Sequence, residues 1–169
     1  TAKGGFMITL ALLSSLAVSP NLPLSDMKIR GNSISNTFGM VRNSGTRAHQ
    51  GWDLSAKVGQ PVFAIAPFRT SSSGYHTDYG YWVQYTSIDS GYIYFNAHLS
   101  KVPLLPEEGQ IGDIIGYAGN TGNARNTDTH LHFEMRTEEN PGLGLSGRVS
   151  PATTFGSWTL YLTQPRSTK

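Results

Sequence analysis

His49-Gln50-Gly51-Trp52-Asp53 sets an imidazole and a carboxylate four residues apart, with a glycine between them. Both groups are good zinc ligands, and the glycine lets the backbone bend so that both side chains can turn toward one ion. This spacing alone is weak, because His and Asp fall four apart by chance in many chains. His130-Leu131-His132 lies within a strand-like run. Side chains at i and i+2 leave the same face of a strand, so His130 and His132 point one way with Glu134 beside them, while Leu131, Phe133 and Met135 face a core. Taken alone, the pair reads equally well as two half-exposed histidines at a hairpin end. His98 closes another strand-like run, after Phe95-Asn96-Ala97, and gains weight from the company of the other clusters. His76, in a Ser- and Gly-rich stretch, reads as an exposed loop residue.

The elements that must position these groups read as strands. Pro61–Ala66, Tyr79–Thr86, Gly91–Leu99, Gly112–Ala118 and Thr129–Arg136 are short runs rich in apolar, aromatic or β-branched residues. Ile88-Asp89-Ser90-Gly91 supplies hairpin-turn chemistry between two of them. Arg69–Asp78 and Gly119–Asp128 have the composition of loops. Tyr75, Tyr79, Tyr81 and Trp82 either wall a groove or fill the core. Helix is expected only near the N-terminus and briefly at Pro151–Phe155. The fold class expected is mainly β, an antiparallel sandwich or open-barrel-like arrangement with a groove and few short helices.

Composition narrows the classes of function. A chain of 169 residues suits one domain. The absence of Cys excludes disulfides, cysteine nucleophiles and cysteine-ligated metal. Charged residues are 14% against roughly 25% in an average globular protein, while 19 Gly and 9 Pro favour a turn-rich β protein. The 13 basic residues are scattered singly, so no nucleic-acid partner is expected. Phe6–Val18 is an uncharged apolar stretch of thirteen residues, shorter than the roughly 20 that a spanning helix needs. It has the length of a signal-peptide apolar region, but residues 1–30 are expected to form an apolar extension packed on a domain of residues 31–169. Thr at position 1 suggests a fragment or a processed form of a longer protein, a module of something secreted.

Together, the His49–Asp53 motif (H-x-G-x-D), the His130–Glu134 motif (HLHFE) and the intervening His98-Leu99-Ser100 resemble the lysostaphin-type, or LytM-like, zinc endopeptidases of bacterial cell walls. Order and approximate spacing agree, as do Asn36-Thr37-Phe38-Gly39 and Gly116–Gly122 (GYAGNTG). The resemblance spans about Asn36 to Arg136. It implies that His49, Asp53 and His132 are the ligands of one Zn2+ per chain and that His98 and His130 are the catalytic histidines, either one the base. Three ligands leave a fourth position open, as in catalytic zinc sites. The helical H-E-x-x-H motif of other zinc peptidases is absent, and Glu134 is expected to support a ligand rather than to act as base. Two departures from the family pattern, Asn96-Ala97 before His98 and the long polar stretch after Pro67, touch no ligand position and bear on the shape of the substrate groove.

The resemblance further implies an endopeptidase acting on peptidoglycan stem peptides or cross-bridges, secreted or in the periplasm and cell envelope, with no transmembrane span. An antibacterial effector, restrained by an inhibitory immunity protein, is one setting for such a domain; a wall-remodelling enzyme and a phage lysin are others. The competing readings are a catalytically inactive peptidoglycan-binding or regulatory module of the same fold, and a metal-stabilised structural domain.

Overall fold

A computed structural model describes residues 21–164. The expectations for the first twenty residues, a docked apolar element or export signal and an N-terminal helix, lie outside the described residues. Within them the chain forms β1 (Gly39–Arg42), β2 (Arg47–His49), β3 (Trp52–Ser55), β4 (Pro61–Phe63), β5 (Phe68–His76), β6 (Gly80–Ser87), β7 (Ile93–Lys101), β8 (Glu108–Gly109), β9 (Ile114–Ala118), β10 (His130–Arg136) and β11 (Arg148–Val149). One short helix, α1 (Ala152–Phe155), stands where Pro151–Phe155 was expected to be helical. No helix among the described residues is long and apolar enough to cross a membrane.

The architecture is mainly β and antiparallel, as the turn-rich composition implied. The main sheet runs β11-β10-β7-β6-β5-β8. One edge of β10 pairs with β7, and the other pairs first with β3 and then with β11. β9 bridges the end of β7 to β4, and β1 and β2 form a separate hairpin. Alternation along β10 sorts its side chains as the sequence suggests. Leu131, Phe133 and Met135 are fully buried in the core with Leu54, Tyr85 and Leu99, each such burial stabilising by about 1.5–3 kcal/mol. Leu24, Met27 and Ile29 join the same core, so residues 21–30 pack with the strands that follow. The residues of β10 between those core positions carry the polar groups of the site.

Arg69–Asp78, expected to be a loop, is instead mostly strand. β5 runs through to His76 and pairs with β6 from Phe68↔Ser87 to His76↔Gly80, with one register shift between Arg69 and Ser71. Pairing with an aromatic, β-branched neighbour overrides the turn-like composition of its serines and glycine, since strand preference is largely context.

Gly51 serves a purpose other than bending. A Cβ there would overlap the Phe133 carbonyl oxygen, so the glycine allows the β2–β3 connection to lie directly on β10. Gly51→Ala should therefore force the strands apart, destabilising the protein by about 1–3 kcal/mol; urea unfolding at equilibrium measures it.

Candidate metal centre

The close approach at Gly51 lays β3 along β10, with Asp53 directly opposite His132 in the ladder. His49, at the end of β2, reaches the same point from the other side of Gly51. All three are buried, at 4%, 2% and 5% exposure for His49, Asp53 and His132. His49 Nε2 lies 3.1 Å from Asp53 Oδ1, His132 Nδ1 lies 2.8 Å from the same oxygen, and the two nitrogens are 3.3 Å apart. These three atoms could share one ion.

The outer atoms of the three groups decide what the inner ones can be. His49 Nδ1 sits 2.8 Å from the Thr37 carbonyl, which only accepts, so this nitrogen carries the hydrogen and Nε2 keeps a lone pair. His132 Nε2 sits 2.9 Å from Glu134 Oε1, which accepts a hydrogen there, so that when the ring is neutral in this tautomer Nδ1 offers its lone pair to the centre. Arg42 Nη2 donates to Asp53 Oδ2 at 2.6 Å, leaving Oδ1 for the centre. With both rings neutral, three lone pairs face one another in a buried space. Such a set is repulsive alone and suits a cation with N and O preference, zinc above all.

In the metal-free centre a proton on His132 relieves part of that repulsion. Burial disfavours charge on His132, but the Asp53 and Glu134 carboxylates outweigh it and lift its pKa to about 9. Burial would raise the Asp53 pKa, yet its contacts with His132 and His49 hold it well below the ordinary value. His49 is pushed down by burial. A proton on His132 would satisfy Asp53 and still leave the His49 lone pair facing them; a divalent ion satisfies all three. Glu134, fully buried, is itself held by Arg136 Nε at 2.7 Å and Arg148 Nε at 2.9 Å. Those contacts and His132 overcome its burial and bring its pKa to about 2.

His98 and His130 stand beside the three, their rings 4.9 Å apart. His130 Nε2 lies 4.0 Å from Asp53 Oδ1. His98 is not at a strand end but inside β7, at a bulge: Tyr81↔Leu99 and Val83↔Asn96 bracket one extra residue on β7. His98 itself has φ +60°, a conformation costly for a residue with a Cβ, and bulges of this kind re-aim a side chain. The backbone is held there by His98 N–H donating to the Tyr79 carbonyl at 2.8 Å. His98 Nδ1 meets the Thr121 carbonyl at 2.9 Å and His130 Nδ1 the Asp128 carbonyl at 2.8 Å, so each Nε2 is a free acceptor. Burial lowers both pKa values, His98 to about 4, and both rings are neutral near pH 7. Thr121 is fixed in turn by a tight contact of Gly80 with Gly122, where a Cβ on either would overlap the other's backbone or its neighbour's.

The five residues predicted from sequence thus meet in one cleft of about 910 Å3. His76 is exposed, as expected, but closes β5 and lines this cleft. Tyr79 lines it too, its hydroxyl donating to Gln50 Oε1 at 2.9 Å. Arg42, Thr37, Thr121, Arg136 and Arg148 were not singled out as individual residues; they act through contacts formed only on folding. The flanking stretches containing Thr37 and Thr121 were the available signal.

The model of peptidase family M23 matches residues 47–142. The DD-carboxypeptidase/endopeptidase Mpg of Neisseria meningitidis serogroup B is 35% identical over 95 residues, which are 56% of this chain and 21% of that protein. The chain spans about a fifth of the length of the curated relatives it matches. The catalytic domain of the antimicrobial peptidase lysostaphin from Staphylococcus simulans has a similar fold, with TM-score 0.60 at 24% identity over 72% of this chain and 90% of that one. A zinc-containing peptidase from Vibrio cholerae is similar at TM-score 0.54 and 24% identity, over 68% and 35% of the two chains.

Removing the group that holds Asp53 Oδ2 should loosen the inner donors. Arg42→Ala is expected to lower divalent-metal affinity by about 10–100-fold, read by competition with a chromogenic chelator.

Proposed function

The chain belongs to peptidase family M23, and on that premise we propose that it is a zinc-dependent endopeptidase hydrolysing peptide bonds of bacterial peptidoglycan, in stem peptides or cross-bridges. The observation that carries the reading is the convergence of the His49, Asp53 and His132 lone pairs beside two neutral histidines in one open cleft. His49, Asp53 and His132 hold the zinc, and His98 and His130 are the catalytic pair. Zinc bound there supplies Lewis-acid polarisation of oxygen at neutral pH.

The remaining work falls to the chain's own side chains. His98 and His130 both present an unprotonated Nε2, so either can take the proton of the attacking water and return it to the departing amine. The Thr121 and Asp128 carbonyls, each accepting from an Nδ1–H, keep the rings in that tautomer and stabilise the imidazolium that forms. The protonated ring is then a donor for the oxyanion of the tetrahedral intermediate. Burial at 6% and 4% exposure limits competing water and strengthens these interactions.

The Mpg relative's name, a DD-carboxypeptidase/endopeptidase, supports a cell-wall peptide as substrate. The site of action is then the cell envelope or the exterior, where peptidoglycan lies. An antibacterial effector checked by an immunity protein is a finer version of the same reading, with the open cleft as the surface an inhibitor would fill.

The purified protein is expected to hold about one equivalent of zinc and to release soluble peptides from isolated sacculi, with chelation abolishing release. His130→Ala and His98→Ala should keep the metal while lowering kcat by about 10²–10⁴-fold. Metal-free protein that binds sacculi without cutting them would instead make the chain a binding module.

A further inference from the structure

Charge is unevenly placed around the cleft. Arg30, Arg42 and Arg47 all line it, and they form one contiguous region. Asn36 Nδ2 donates to the Arg30 carbonyl at 2.9 Å, Arg42 Nε donates to the Ser35 carbonyl at 2.9 Å, and Arg42 pairs with Arg47 across the β1–β2 hairpin. Arg42 is committed to Asp53. The guanidinium groups of Arg30 and Arg47 have no carboxylate partner among the described residues, and residues 1–20 and 165–169 contain no Asp or Glu. Arg30 is half-buried on an anchored backbone: its neighbour Ile29 donates to the Tyr161 carbonyl at 2.8 Å and bridges to Leu54. An arginine without a carboxylate partner, lining the same cleft as His130, is suited to receive an anion that arrives with the substrate.

We propose that Arg30, assisted by Arg47, binds a free carboxylate on the substrate residue adjoining the scissile bond. This rests on the peptidase reading above and specifies its substrate: a peptide cross-linked through a diamino diacid, or one ending in its own carboxylate, rather than an uncharged glycine bridge. Guanidinium matches carboxylate in a two-point hydrogen-bonded pair. Such a charged pair corresponds to about a 10–100-fold preference.

The test compares kcat/KM for two cross-linked peptides that differ only in whether the diacid carboxylate is free or amidated. A peptide ending one residue past the scissile bond, free or amidated, and an oligoglycine complete the set. The zinc-loaded protein should favour a free-carboxylate member by about 10–100-fold over its amide, and that ratio should collapse toward one in Arg30→Gln and shrink in Arg47→Gln. Preference confined to one pair identifies the source of the carboxylate. Equal rates on free and amidated peptides, or a ratio that survives both substitutions, overturn the proposal. Calorimetric binding of the same peptides to zinc-loaded His98→Ala separates this from the peptidase reading. Discrimination in binding without cleavage by the unsubstituted protein would uphold the carboxylate site and sink the peptidase reading; cleavage without discrimination would do the reverse. Arg47→Gln, on an exposed strand position, keeps the test decisive should Arg30→Gln fail to fold.

Discussion

Each group around the centre has one atom engaged outward, and that engagement fixes what its inner atom offers. Thr37 takes the hydrogen of His49, Glu134 takes that of His132, and Arg42 occupies one oxygen of Asp53. What remains is a cluster of three inner donor atoms that a proton on His132 reconciles only in part and a cation reconciles fully, in a place too buried for water to screen them. The rest of the structure follows from the need to hold that arrangement. A set of donors free to rotate would relax by exchanging hydrogens or turning away, and affinity for an ion would fall accordingly.

The sheet supplies the rigidity. β10 is paired on both edges, so its backbone has no freedom to shift His132 relative to Asp53. Behind His132, Glu134 binds two arginines, and Arg148 Nη1 also donates to the carbonyls of Gly142 at 2.7 Å and Gly144 at 3.1 Å. Breaking a buried charged set of this kind commonly destabilises by about 3–5 kcal/mol. The network therefore orients a ligand, ties a loop at the cleft rim to the sheet and fixes the register of β11 on β10 at once.

Much of the centre was legible in the sequence because three short motifs, each weak alone, together resemble those of one family. The i, i+2 rule sorted β10 into a core face and a polar face, and the composition of the chain pointed to antiparallel strands. Gly51 was recognised for the wrong reason: flexibility was expected, and close approach to Phe133 is what requires it. β5 was read as loop because a strand's partner cannot be seen in its own composition. Arg42 and Arg148 escaped notice since each meets its partner, Asp53 or Glu134, across a gap that only the fold closes. His98 looked like a strand terminus because a bulge leaves no mark in residue types; its positive φ belongs to the backbone alone.

The bulge at His98 limits how the five side chains of the cleft can be transplanted. Grafting the five side chains onto another β scaffold would reproduce their types and even their ladder positions, yet a regularly pleated strand would send the imidazole of His98 elsewhere. The unit that must travel is larger: the extra residue in β7, the Tyr79 carbonyl that restrains it, and the Gly80–Gly122 contact that sets the Thr121 carbonyl against His98 Nδ1. An engineered copy without them would keep the three inner donors and lose the aim of the His98 imidazole.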